Sequence, residues 1–118
     1  MMTLIIVLLG LHVLAGVFWA GSTFALALSG PDAASRLFGA QMLAATVSVL
    51  AGLGLWGILH KGPPGGMEKA LALGALCALA AAGVQGALRR SKPPLAQKIA
   101  AGLLAVTVIT MTLARYVP

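Results

Sequence analysis

Four apolar stretches follow one another with little between them, at about 3–28, 37–59, 70–88 and 95–117 of a 118-residue chain. A helix needs ~20 apolar residues to cross a hydrocarbon core of ~30 Å. Hydrocarbon offers no partner to a bare N–H or C=O, so a stretch of this kind must close its hydrogen bonds on itself as a helix. The linkers are short, which makes sequential neighbours antiparallel. The expected fold is an all-α integral membrane protein, a four-transmembrane-helix up-down bundle forming one domain over residues 1–118. The breaks are Ser29-Gly30-Pro31-Asp32, the run from His60-Lys61-Gly62 through Pro63-Pro64-Gly65-Gly66, and Arg89-Arg90-Ser91-Lys92-Pro93-Pro94. Gly and Pro are the expected punctuation at such places.

Charge is scarce and one-signed. The chain is 60% hydrophobic and 8% charged, with only two acids, Asp32 and Glu68, against a net charge of +6. A basic chain invites a nucleic-acid reading. Here the cations flank apolar spans in small groups, so topology and anionic lipid account for them, and no nucleic-acid partner is expected. The side holding the first and third linkers carries Arg36, Arg89, Arg90, Lys92 and Lys98, and the side holding both termini carries Lys61, Lys69 and Arg115. That balance places the first and third linkers in the cytoplasm and both termini outside it, with a bacterial inner membrane as the expected location. Met1-Met2-Thr3 lacks a positive n-region and the first apolar run is long for a signal peptide, so the first span is expected to be retained. The lone Cys77 excludes an intrachain disulfide and a cysteine-based metal cluster, and reads as a small packing residue.

Lipid tails are as apolar as leucine, so close approach at small residues must hold the helices together. Ala44, Ser48 and Gly52 recur every four residues in the second helix, as do Gly74, Ala78 and Ala82 in the third. Gly102, Ala105, Thr107 and Thr110 supply small or hydroxylated positions in the fourth. Gln41 and Gln85 lie toward the same ends of helices two and three, where they are expected to bond across the interface.

One ionisable ring interrupts the first span. His12 lies about nine residues into it, in the run Leu11-His12-Val13-Leu14-Ala15-Gly16-Val17-Phe18-Trp19-Ala20-Gly21. An imidazole in hydrocarbon is costly and by default marks a functional position. Residues seven apart share a helix face, so His12, Gly16, Trp19 and Thr23 form one stripe expected to face a cavity or the interior. Gly16 would leave a gap one turn from the ring and Trp19 would wall it. A ligating nitrogen, a slot and an aromatic wall suit a planar metal complex. The expected cofactor is b-type haem, with copper as the alternative. His12 lies roughly 13 Å along its helix, and Met111 comes back to a similar depth on helix four. His12 and Met111 are therefore the candidate metal ligands, and Arg115 the candidate partner of a haem propionate. His60 faces the same side but sits at the membrane surface, offset by about 10 Å. It suits a second site or a point of copper uptake. Blander readings stand beside these: His12 bonding a neighbouring helix, Met111 as packing, His60 as an interfacial residue, Arg115 and Tyr116 as an interfacial anchor, and Trp19 and Trp56 as packing or belt aromatics.

The His12, Trp19, Ala20, Gly21 pattern resembles the first helix of copper-resistance D-like (CopD-like) membrane proteins, which carry a His followed seven residues later by Trp and then a small residue and Gly. HemJ-type protoporphyrinogen oxidases, also small four-helix membrane proteins, have a similar arrangement. The likeness covers about 15 of 118 residues. It implies a bundle that binds b-type haem or handles copper or porphyrin, with His12 as the carried-over ligand. Two departures matter. HemJ-like proteins are expected to hold an intramembrane Lys, and none lies between Lys69 and Arg89 here. The usual Gly-Gly of the CopD-like motif is Gly21-Ser22.

Three functions compete. The first is a small membrane haem protein in electron transfer or redox chemistry, in which any reactivity belongs to the cofactor. The second is a non-catalytic accessory or assembly subunit of a larger membrane complex; separately, a bundle this small could form a homo-oligomer through Ala/Gly faces. The third is a small transporter, which is disfavoured because Asp32 and Glu68 both fall in turns. No paired carboxylate, phosphate-cradling loop or nucleophile–base pair is visible in the sequence.

Overall fold

The computed structural model describes residues 1–29, 34–60, 62 and 65–116. Four helices account for nearly all of them: α1 (Met2–Ser29), α2 (Ala34–Leu59), α3 (Gly66–Leu88) and α4 (Pro93–Leu113), followed by a 3₁₀ turn, η1 (Ala114–Tyr116). No strand occurs among the described residues. All four helices are long and apolar enough to cross a membrane, which fits an integral membrane protein. The expected turn residues Gly30, Pro31 and Asp32, together with Lys61, Pro63, Pro64 and Val117, lie outside the described residues.

The helix ends differ from the hydropathy reading for local reasons. α2 begins at Ala34 rather than near Leu37, so Arg36 stands in its first turn. α3 begins at Gly66 rather than near Ala70, because Glu68 reaches back and its Oε2 accepts the Gly65 N–H at 3.0 Å. That contact satisfies a donor that a helix start otherwise leaves bare. α4 starts at Pro93, where proline's missing N–H costs nothing. Its regular part stops at Leu113, short of Val117, and tightens into η1.

Helices pack as two close hairpins, α1 with α2 and α3 with α4. α1 against α4 joins them, while α2 and α3 barely meet. The interfaces use the small residues the sequence marked. Ala44, Ser48, Gly74 and Ala78 are buried. Gly102, by contrast, faces outward with nothing near it. Large apolar side chains such as Leu14, Leu28, Leu43 and Leu76 point away from the bundle, as lipid-facing residues do when the solvent is itself hydrocarbon. The arrangement inverts that of a water-soluble protein: the largest fully buried side chains are Gln41, Gln85 and Thr23.

Candidate functional site

Two polar constellations stand inside the bundle. The larger lies toward the end that carries the α1–α2 and α3–α4 linkers, and every helix contributes to it. Its hub is the Thr23 hydroxyl of α1, which donates to the Trp19 carbonyl at 2.7 Å and accepts from Gln41 Nε2 at 3.1 Å and Gln85 Nε2 at 2.9 Å. One donor and two lone pairs are all a hydroxyl has, so Thr23 is saturated. The Gln85 carboxamide is spent almost as fully. Its second amide hydrogen goes to Gln97 Oε1 at 3.2 Å, and its Oε1 accepts the Trp19 indole N–H at 2.8 Å. Gln41 Nε2 also makes a long contact to Ser22 Oγ at 3.4 Å. The three glutamines are the chain's entire complement and asparagine is absent. All three are buried, and all three belong to this cluster. Gln41 Oε1 alone is a buried side-chain polar atom with no protein partner among the described residues.

The smaller constellation surrounds His12, which is half-buried in the α1–α2 seam. Nδ1 lies 2.7 Å from the Ser48 carbonyl oxygen of α2. A carbonyl can only accept, so Nδ1 carries the hydrogen, and in the neutral ring the lone pair is left on Nε2. Ser48 Oγ answers with a long contact to the His12 carbonyl at 3.4 Å. One edge of the ring lies against Gly52. A Cβ there would sit 3.0 Å from His12 Cε1 and 3.2 Å from Nδ1, tight enough that the ring would have to give by a few tenths of an ångström.

The stripe read from the sequence faces inward: Trp19 and Thr23 are buried, and Gly16 lies against Ser48. The expected roles of its members differ from what these contacts permit. Gly16 opens no slot, since Ser48 Oγ stands 3.5 Å from where its Cβ would be. Trp19 walls no gap, because its ring is buried and its N–H is committed to Gln85. Met111 packs on Gly74 of α3, with its Cγ 3.0 Å from that residue's Cβ position, whereas His12 is engaged with α2. His12 and Met111 thus make these contacts on different helices, α2 and α3. Arg115 lies exposed on η1, bonded to the Tyr116 hydroxyl and set over that ring. Among the described residues no three His, Cys, Asp or Glu side chains gather as a metal site.

His60 is engaged at the surface. Its Nδ1 lies 3.0 Å from Glu68 Oε1, and its ring lies 5.3 Å from that of Trp56. The contact fastens the end of α2 to the start of α3. At the opposite end of the same seam, the Arg89 guanidinium lies 4.3 Å from the centre of the Phe38 ring.

The sequence reading missed Gln97. The signal was available: Gln85 and Gln97 stand six residues before and six after Ser91, in the middle of the α3–α4 linker. Thr23 and Gln41 stand nine residues either side of Asp32 in the same way. In an antiparallel hairpin such positions lie at equal depth. No protein-family model, curated protein or solved structure matches this chain.

Proposed function

We propose that this chain is a non-catalytic accessory or assembly subunit of a larger membrane complex. The observation that carries the reading is how far the polar centre spends its hydrogen bonds on itself, with Gln41 Oε1 the one buried polar side-chain atom left over among the described residues. Trp19, Thr23, Gln85 and Gln97 spend hydrogen bonds on one another across three helices, and Gln41 ties the fourth to the same hub. Such a core fixes one arrangement of helices, and neutral carboxamides supply neither a proton donor of useful acidity nor a nucleophile. What the bundle offers its surroundings is its outer surface, with large apolar side chains on all four helices. The orientation that goes with this reading puts the α1–α2 and α3–α4 linkers in the cytoplasm of a bacterium, following the excess of Arg and Lys there. Mild-detergent extraction from native membranes, followed by native electrophoresis and pull-down of the tagged chain, tests it. The expected result is a larger assembly of fixed stoichiometry. Recovery solely as a monomer or homodimer would overturn it.

One observation favours a second reading. A metal-ligating histidine almost always donates its other ring N–H to a carbonyl or carboxylate, which sets the tautomer and ring orientation. His12 makes that bond to Ser48, and in the neutral ring Nε2 keeps its lone pair. On this reading His12 offers Nε2 to haem or copper at the bundle surface, with further ligands from a neighbouring chain, in keeping with the CopD-like resemblance of the first helix. Purification of the intact assembly from haem-replete cells tests it. A Soret band that disappears in His12→Ala supports it, and a colourless, copper-free assembly ends it.

A further inference from the structure

We infer that the seam between α2 and α3 is a binding site for one anionic phospholipid, its acyl chain in the groove and its phosphate at Arg89. Among the described residues, this is where sequential helices pack least. A groove of about 240 Å³ runs along it, walled by Met42, Ala45 and Val49 of α2 and by Leu79 and Ala82 of α3. Phe38, Met42, Ala45 and Val49 fall at intervals of four, three and four residues, which is one face of a helix. Ala82 and Arg89 are seven apart and share a face of α3. The Phe38–Arg89 pair therefore stands at the head of the groove, in line with both walls. The Arg89 side chain is exposed, and a guanidinium carries five N–H donors in a fork that a phosphate takes in pairs.

The surroundings match that occupant at both ends. Arg36, Arg90 and Lys92 are all exposed at the Arg89 end, so a negative headgroup meets a positive field there. The groove begins one turn below and continues from Met42 to Leu50, about 12 Å of helix, at the depth of acyl chains. A peptide helix would fill the apolar part of this groove but would leave the guanidinium edges at its head without an anion.

Native mass spectrometry of the full chain, released from micelles doped with phosphatidylglycerol or phosphatidylcholine, tests this. The expected result is one tightly retained phosphatidylglycerol, favoured over phosphatidylcholine. Arg89→Gln should cut that retention about fivefold, the worth of one cation at a membrane surface. Val49→Trp fills the groove and leaves the cations in place, and it should abolish the retained lipid as well. Lys98→Gln, on the same surface but away from the seam, should change retention little. Equal retention of both lipids, or loss in Lys98→Gln as large as in Arg89→Gln, would show only diffuse charge attraction and overturn the site. Retention unchanged in Val49→Trp would overturn the acyl-chain groove. Thermal unfolding of each variant, compared with the parent chain, separates loss of binding from loss of fold.

Discussion

The two polar constellations solve one problem differently. A polar group in hydrocarbon must find a partner inside the protein. Around Thr23 the partners on other helices are side chains, and the bonds tie α1, α2, α3 and α4 to a common hub. In the other half of the bundle the partners are backbone carbonyls, and each bond ties only two helices. His12 reaches the Ser48 carbonyl across the α1–α2 hairpin, and Thr107 reaches the Gly74 carbonyl at 3.0 Å across the α3–α4 hairpin. A carbonyl already serving its own helix accepts an extra bond on its second lone pair, and it still has a partner when the visitor leaves. A side chain in the network has no such reserve. The difference predicts that damage spreads from the first constellation and stays local in the second.

Gln85→Leu is the strongest way to break this contrast. It removes three bonds at once and leaves the Trp19 indole N–H buried with no acceptor. The expected loss is about 2–3 kcal/mol of stability, the cost of orphaned buried donors moderated by the partners an unfolded membrane chain can find. Thermal or steric-trap unfolding in bicelles would measure it. Trp19 fluorescence should also change in this variant, since the indole loses its partner. A loss no larger than that of a lipid-facing substitution such as Leu76→Ala would show that the network contributes nothing.

Much of this organisation was legible in the sequence, and the reasons differ by element. The four spans were plain because charge-free runs of that length have few other uses. The inward stripe of Trp19 and Thr23 followed from helical periodicity alone. Gln41 and Gln85 were placed at one end and expected to bond across helices, and they do so through Thr23. Side-chain pairing was harder. A glycine beside a histidine reads equally as a slot for a ligand or as a landing for another helix. Deciding for Ser48 needed the register of α1 on α2. The depth match of His12 and Met111 held no information on azimuth, and azimuth sends one residue to α2 and the other to α3. Nothing in hydropathy marks the weak α2–α3 seam, because lipid-facing and helix-facing apolar residues look alike.

The two hairpins are sharpened against each other by their glycines. At Gly74 a Cβ would lie 2.7 Å from Thr110 Oγ1 and 3.0 Å from Met111 Cγ, so Gly74→Ala must push α4 away from α3 or turn both side chains. Overpacking of that kind costs about 1–3 kcal/mol. At Gly52 the obstacle is the edge of one ring, and His12 is only half-buried and can shift. Gly52→Ala is expected to cost about 1 kcal/mol, near the lower limit of that range. It should lengthen the Nδ1–H bond to Ser48, read as an upfield move of the His12 Nδ1 proton in solid-state NMR. If Gly52→Ala proved the more damaging of the two, the His12 seam would be the rigid one.

Thr107→Val carries the smallest effect and the sharpest meaning. The hydroxyl lies within bonding distance of both the Gly74 carbonyl and, at 3.0 Å, the Leu103 carbonyl of its own helix. With one hydrogen to give, it can serve only one well at a time. Valine keeps the shape and removes the donor, and both carbonyls retain their own helical N–H partners. The expected loss is therefore about 0.6 kcal/mol, the average of such bonds in a membrane. A donor shared between a neighbouring helix and its own turn is cheap to delete, whereas a saturated hub is not. Thr23→Val makes the same chemical change in the hub: it strips one donor and two acceptors from a site three residues depend on. Unfolding both valine variants under one set of conditions compares the two solutions directly. Similar losses would mean that position in the network confers no special importance, and the contrast between the two halves of the bundle would fail.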